Sequence, residues 1–217
     1  MHKNVNNLVV IESLLKKKTN QKKLPQIIAV SKTFPSSDII PLIEYGHSHF
    51  GENKIQEAIE KWTPIKKNFQ NVKLHMIGKL QTNKVKFLFP LFDYLHSLDN
   101  LKLAKKISEH QSKNEKKIKI FIQVNIGQES QKVGINVNDL NEFYSICRKD
   151  LKLNIIGLMC LPPANENTDG YFEQMEKLNK QLGLQELSLG MSNDYLNAIE
   201  YGSTYVRIGS KIFGNRS

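Results

Sequence analysis

The sequence predicts an α/β protein: a single (β/α)8 barrel of TIM type with an extra N-terminal helix, one domain over residues 1–217. Three observations carry this expectation. Short apolar runs of β-formers alternate with longer helical patterns, giving eight strand-then-helix units. The chain has 217 residues, and α/β barrels commonly occupy about 200–250 residues as one domain. At the first strand-to-helix turn there is no G-x-G-x-x-G, which argues against an open dinucleotide-binding sheet.

The elements follow in order. Residues 4–18 read as a helix, with Leu8, Ile11, Leu14 and Leu15 at helical spacing, expected to cover the bottom or a side of the barrel. After Pro25, Ile27-Ile28-Ala29-Val30-Ser31-Lys32-Thr33 is a run of β-formers ending on a lysine, with the strand over 27–30. A run of this kind is buried on both faces, as in a parallel sheet covered by helices. Ser36, Ser37 and Asp38 offer caps for a helix through Ile39, Ile40, Leu42 and Ile43, which Gly46 ends. Residues 47–50 form a short strand, and Gly51-Glu52-Asn53 turns into a helix carrying Ile55, Ala58, Ile59 and Trp62. The third strand is 74–78, followed by a helix that begins near Thr82 and ends before Pro90. A fourth strand spans 94–98, and Asp99 or Asn100 caps the helix through Leu101, Leu103, Ala104 and Ile107. The fifth strand is 118–125, with a helix over 139–149. The sixth is 153–160, stopped by Pro162-Pro163 and followed by a helix over 170–182. The seventh is 186–189 with a helix over 194–201. The eighth is 204–208, and Gly209-Ser210 opens a last short helix.

Composition removes several function classes. A net charge of +10 and a pI near 9.4 suggest nucleic acid, but of the 31 basic residues only Arg148, Arg207 and Arg216 are arginine. Base readout and bidentate phosphate contacts favour Arg, and no aromatic-interleaved basic motif occurs, so no nucleic-acid partner is expected. The start shows no apolar h-region. The longest apolar stretch, 87–95, is broken by Pro90 and Asp93 and is too short to span a bilayer. A cytoplasmic protein without a membrane partner is the expectation. Cys147 and Cys160 show no metal spacing and read as buried thiols, and the six histidines look scattered. His47-x-His49 would put both rings on one strand face, without a carboxylate or third histidine to complete a metal site.

In a barrel, ligands meet the carboxyl ends of the strands. Those positions here are Lys32, Asn53, Gly78, Asn125, Met159 with Cys160, the loop Ser188-Leu189-Gly190-Met191-Ser192-Asn193-Asp194, and Arg207 leading into Gly209-Ser210-Lys211. A lysine at a strand end either snorkels to solvent or presents a nucleophilic amine able to form a Schiff base. The last two loops place small residues and hydroxyls before helix starts, where free N–H groups favour anions. Gly190 and Gly209 would let the backbone approach a phosphate, and Ser192 and Ser210 would donate to it. The alternative makes Ser192 and Asp194 simple N-caps and Gly209 a turn residue. Together, across the mouth from Lys32, they favour a phosphate-bearing carbonyl ligand. An inward Arg207 would hydrogen-bond a ring nitrogen and keep a pyridine unprotonated.

Several blocks in order resemble one family. They are Ala29-Val30-Ser31-Lys32-Thr33, Phe50-Gly51-Glu52-Asn53, His75-Met76-Ile77-Gly78-Lys79-Leu80-Gln81-Thr82-Asn83-Lys84, Gln123-Val124-Asn125 and Gly157-Leu158-Met159, then 187–194 and 206–214. From about residue 26 onward the chain is similar to the YggS/PROSC (PLPBP) pyridoxal phosphate homeostasis proteins, themselves similar to the alanine racemase N-terminal barrel (fold type III). The resemblance implies that Lys32 forms the internal aldimine with pyridoxal 5′-phosphate. It further implies that Ser192, Gly209 and Ser210 hold the phosphate, Arg207 faces the pyridine nitrogen and Asn53 lies beside the cofactor; the matched loop adds Met191. It implies a role in keeping free pyridoxal phosphate low and delivering it, with apo-enzymes as receiving partners and no established turnover.

Two departures stand out. The family often has a lysine at the place of Phe34, and Ser210 replaces a common threonine while keeping the hydroxyl. A fold-type III racemase or aldolase is the rival, and an aldolase-type Schiff-base enzyme on Lys32 without bound cofactor is a third class. The racemases resembled here draw a second base from an added β-domain. This sequence ends at Ser217, directly after the last barrel helix, so that domain is expected to be missing. A monomer is a separate expectation, which no feature of the sequence fixes.

Overall fold

Eight parallel strands close on themselves in the computed structural model, in the order of the chain, with β8 paired back onto β1. Residues 1–19, 24–114, 116–128, 133–163 and 166–214 are described. The strands are β1 Gln26–Val30, β2 His49–Glu52, β3 Lys73–Met76, β4 Tyr94–Leu98, β5 Lys119–Val124, β6 Ile155–Cys160, β7 Glu186–Met191 and β8 Tyr205–Ile208. The main helices are α1 Lys3–Lys18, α2 Ser36–Glu44, α3 Ile55–Asn68, α4 Leu88–Leu91, α5 Leu101–Gln111, α6 Leu140–Ser145, α7 Asp169–Gln181, α8 Tyr195–Ala198 and α9 Ser210–Phe213. The expected (β/α)8 barrel is the fold.

The extra helix lies against a side of the barrel, packed on α2, α8 and α9. It buries Val5, Leu8, Ile11 and Leu15, while Leu14 is 39% exposed, off the apolar stripe. Asn4 and Asn7 donate to the carbonyls of Asp38 and Ile212, tying the amino-terminal end of the helix to α2 and α9.

Local differences from the sequence reading have physical causes. The segment after β3 is a 3₁₀ stretch, Thr82–Phe87, that runs into α4, and Pro90 sits inside α4 rather than beyond it. Pro90 falls in the first turn, where a missing N–H costs no helical bond. The segment expected as one helix over 139–149 is α6 flanked by a 3₁₀ turn and a π turn, Ile146–Asp150. The helix expected over 194–201 is α8 continued by a 3₁₀ turn, Ile199–Tyr201. Pro35, not a serine, sits at the N-cap of α2, without a side-chain cap bond. Asn100 caps α5 as expected, accepting from the Leu103 amide at 2.8 Å.

β2 begins at His49 and runs through Glu52, so Gly51-Glu52 is strand and not turn. Gly51 is a close-approach residue: a Cβ there would lie 2.8 Å from Ile28 Cγ2. His47 precedes the strand, donates Nε2–H to the His49 carbonyl and meets the Phe50 ring edge-on. The two rings therefore do not share a strand face. Between strands and helices lies the main core, in which fully buried Trp62 packs on Phe50 with centroids 5.0 Å apart. Truncating such a residue costs about 3–5 kcal/mol.

Inside the barrel is a separate cluster of Ile28, Tyr94, Phe121, Met159 and Tyr205. Imidazoles complete it: His75 stacks on Tyr94 at 4.1 Å and His96 on Phe121 at 4.2 Å. The histidines that look scattered in sequence thus gather in space. No group of three or more His, Cys, Asp or Glu among the described residues is arranged to hold a metal ion. Among them, too, no helix is long and apolar enough to cross a membrane.

Candidate functional site

The turn after β1 is strapped down before Lys32 can reach anything. Ser31 is buried, and its Oγ donates to Glu52 Oε1 at 2.7 Å. The Lys61 ammonium donates to the Ser31 carbonyl at 2.9 Å, to Glu52 Oε1 at 3.0 Å and to Glu57 Oε1 at 2.9 Å. Glu57 accepts the Thr33 amide at 2.6 Å. Thr33 itself has φ 69°, a left-handed conformation that is strained for a β-branched residue. The half-buried Lys32 therefore leaves the strand from a backbone whose neighbours are held on both sides.

Glu52 has no exposed surface, and Trp62 Nε1 completes three donors on its Oε1. Among the described residues its Oε2 has no partner. Burial holds its carboxyl above the usual range, opposed by Trp62, Lys61 and Ser31. Burial also pushes Glu57 up, but the Thr33 amide and Lys61 outweigh it and leave it below the usual range.

Asn53 follows β2 directly, and its side chain makes no hydrogen bond among the described residues. Its backbone is pressed against the loop after β3: a Cβ on Gly78 would stand 2.2 Å from the Asn53 carbonyl oxygen. Only glycine fits there, and that contact sets where Asn53 sits.

The loops after β7 and β8 are joined to each other, since the Gly209 amide donates to Ser192 Oγ at 3.3 Å. The Asp194 carboxylate takes the Met191 amide at 2.6 Å and does not cap α8. The backbone amides of Ser192, Asn193 and Ser210 make no hydrogen bond among the described residues. Gly190 has a different role from the one its loop suggested. Its φ is +82°, and a Cβ would meet Ala198 Cβ at 2.7 Å, so it serves close packing of α8 and not approach to an anion. At Gly209 a Cβ would only touch Val30, at 3.5 Å.

Arg207 points inward and is 4% exposed. Nη1 donates to the Ser188 carbonyl and hydroxyl at 2.6 and 2.7 Å, and Nη2 to the Cys160 carbonyl at 2.9 Å. No carboxylate pairs with it among the described residues, which leaves a buried cation facing neutral oxygens. Burial lowers its pKa, with Cys160 and Asp194 acting the other way. The Cys147 and Cys160 thiols are both free, buried and pushed up to about 12 by burial.

These parts open on one cavity of about 1020 Å³ at the strand ends. Lys32, Asn53, Met191, Ser192, Arg207, Gly209 and Ser210, the residues expected beside the cofactor, line it, whereas the strand-end positions Gly78, Asn125, Met159, Cys160, Gly190 and Lys211 are not part of its lining. Phe34 lines it as well and stacks on Phe213, centroids 4.8 Å apart, which ties the β1 loop to α9. A second cavity of about 490 Å³ lies between α3 and α4, with Ile59, Phe87 and Leu91 in its wall, remote from the strand ends. Glu52 and Lys61 escaped the sequence reading as functional residues, and Ser188 entered it only as the start of the loop after the seventh strand, without a role. Glu52 lay inside a matched block, and Lys61 was one lysine among many until its helix was docked.

The chemistry offered is specific. An amine, a buried guanidinium, two hydroxyls and three backbone amides converge, which fits a ligand with an aldehyde, a ring acceptor and a phosphate. The model of the alanine racemase N-terminal domain family matches residues 7–217. The "Pyridoxal phosphate homeostasis protein" of Aquifex aeolicus is 36% identical over 200 residues, covering 88% of this chain and 87% of that one. Its namesake in Pasteurella multocida is 34% identical over 224 residues, with coverage of 97% and 96%. Among solved structures, PipY of Synechococcus elongatus without PLP superposes with a TM-score of 0.89 at 30% identity, covering 98% of this chain and 100% of that chain. The same protein with PLP bound gives a TM-score of 0.86 at 29% identity, covering 97% and 100%.

Proposed function

We propose that this chain, which belongs to the alanine racemase N-terminal domain family and within it to the pyridoxal phosphate homeostasis proteins, holds pyridoxal 5′-phosphate on Lys32 and hands it on without turning over a substrate. The observation that carries the reading is Arg207, a buried cation that no carboxylate among the described residues pairs with, opening on the cavity that receives Lys32. The names of the relatives and the PLP-bound form of PipY support it.

When bound, the cofactor supplies an aldehyde that joins the Lys32 amine with loss of water, which tethers it. The rest of the work falls to the chain. Ser192 and Ser210 offer hydroxyls and, with Asn193, backbone amides to the phosphate. Gly209 holds Ser192 in place. Arg207 donates to the ring nitrogen, which keeps that nitrogen unprotonated and weakens the ring as an electron sink. Asn53 provides a side-chain amide beside the ring, and Met191, 40% exposed, forms the lip.

Racemisation needs a base on each face of the substrate. Among the described residues lining the cavity there is no Tyr, His or Cys. Its carboxylates are engaged, Glu166 with the Tyr171 hydroxyl and Asp194 with the Met191 amide. These features favour a carrier whose receivers are apo-enzymes that use the same cofactor.

The test is direct. Purified protein given pyridoxal phosphate turns yellow, loses the colour with borohydride and carries the reduced adduct on Lys32. Protein that stays colourless sinks the cofactor reading, and a Lys32→Ala variant that still forms the adduct sinks the residue assignment. Racemisation of an amino acid, abolished by Lys32→Ala, would overturn the carrier reading.

A further inference from the structure

A hydrogen-bonded row of side chains crosses the barrel interior beneath the cavity. His49 Nδ1 lies 2.8 Å from His75 Nε2, and His75 Nδ1 lies 2.9 Å from His96 Nε2. His96 Nδ1 lies 3.0 Å from Ser188 Oγ, the same hydroxyl that accepts from Arg207 Nη1 at 2.7 Å. His75, His96 and Ser188 have no exposed surface. The row starts at the first residue of β2, on the amino-terminal floor, and ends at a guanidinium in the cavity wall.

Donor counting fixes its direction. Arginine only donates, so Ser188 Oγ accepts from Arg207 and has one proton left to give. Among the described residues, the hydrogen-bond partner left for that proton is His96 Nδ1. His96 Nδ1 is therefore bare, and the ring's proton is on Nε2, aimed at His75 Nδ1. That nitrogen must accept, which puts the His75 proton on Nε2 and aims it at His49 Nδ1. A neutral imidazole has one donor and one acceptor, so each ring dictates the tautomer of the next. Burial is the largest influence keeping all three rings neutral.

We propose that His49, His75, His96 and Ser188 form a one-way row, every imidazole protonated on Nε2, that positions Arg207 toward the ligand in the mouth cavity. The row commits the serine proton to His96, so a lone pair and not a proton faces Nη1. Together with the Ser188 and Cys160 carbonyls this anchors both outer nitrogens of the guanidinium on the strand side. Bonds in such a row polarise one another in the same sense. Ser188 and His96 act through Arg207 and are positioning residues. The positioning half rests on the proposed cofactor reading; the tautomers do not.

Nitrogen-15 NMR of the labelled full chain without ligand, at neutral pH, tests the row. Exposed His2 serves as the internal reference. His75 and His96 should each show a pyrrole-like Nε2 and a pyridine-like Nδ1, with scalar coupling across the bond between them. A proton on Nδ1 of either ring overturns the row. For positioning, Ser188→Ala and Ser188→Thr are loaded with pyridoxal phosphate and the adduct on Lys32 is trapped to verify equal occupancy. The absorption band and its pH response should shift in Ser188→Ala and return in Ser188→Thr, which keeps the hydroxyl. An unmoved band in Ser188→Ala overturns positioning. If the native chain traps no cofactor, positioning falls with the proposed function while the nitrogen spectra judge the row by themselves.

Discussion

Lys61 meets three partners beneath the Lys32 turn, and its side chain and that of Glu52 are 9% and 0% exposed. Removing one member of a buried pair strands the other, which costs about 3–5 kcal/mol, whereas an exposed pair is worth about 0–1 kcal/mol. Lys61→Met should therefore lower stability by about 3 kcal/mol in urea titration, and adding Glu52→Gln should restore part of the loss. A cost under about 1 kcal/mol for the single change would show that the network is not structural. Glu52 also has a pH signature. Its folded pKa lies above the ordinary 4.5, so the folded state binds the extra proton. That contribution is fully present below pH 4.5 and is lost as pH rises through the folded pKa. Glu52→Gln should erase that stretch of the stability profile and leave the Lys61 bonds to Ser31 and Glu57 in place.

The elements visible in the sequence were those whose signal is local. β4 spans 94–98 as read, because five consecutive buried residues between a turn and a cap leave little choice. The Arg207 and Ser192 loops were legible because strand ends in a barrel form one rim. The imidazole row was not legible, because it depends on register: His75 lies opposite Gly51 and Tyr94, a relation no window of sequence contains. That register has a measurable consequence. His47, His49, His75 and His96 all have folded pKa values below the ordinary 6.5, about 4 for His47 and His49, with burial the largest cause in each. The unfolded chain takes up protons that the folded one refuses, so this stability is fully present above pH 6.5 and lost as pH falls. Each group contributes up to about 1.4 kcal/mol per pH unit within its window. The slope of unfolding free energy near pH 5.5 should correspond to three or four protons, less any opposite contribution from Glu52. His49→Asn retains an acceptor for His75 and should reduce the slope by about one proton. A native slope near zero would mean the rings are charged in the folded barrel.

At the scale of the whole molecule, the cavity sits on the seam where the barrel closes. Its residues come mainly from the ends of β1, β6, β7 and β8, with Asn53 after β2 and Ile77 after β3, and β8 pairs with β1 with Arg207 opposite Ile28. A ligand that reaches from Lys32 to Ser210 therefore bridges the last strands to the first ones, and binding and closure become one equilibrium. Pyridoxal phosphate at 100 times its Kd should add about 2.7 kcal/mol. For a chain of this length that raises Tm by about 5–10 °C. Inorganic phosphate, which can engage only the loops after β7 and β8, should give a smaller rise at its own saturation. Lys32→Ala should keep the phosphate response and lose most of the response to pyridoxal phosphate. Hydrogen exchange then locates the effect: amides of β1 and β8 that exchange through local opening should slow more than those of α5, which lies away from the seam. Equal slowing in both places would mean that the ligand stabilises the barrel as a whole and does not clamp its closure.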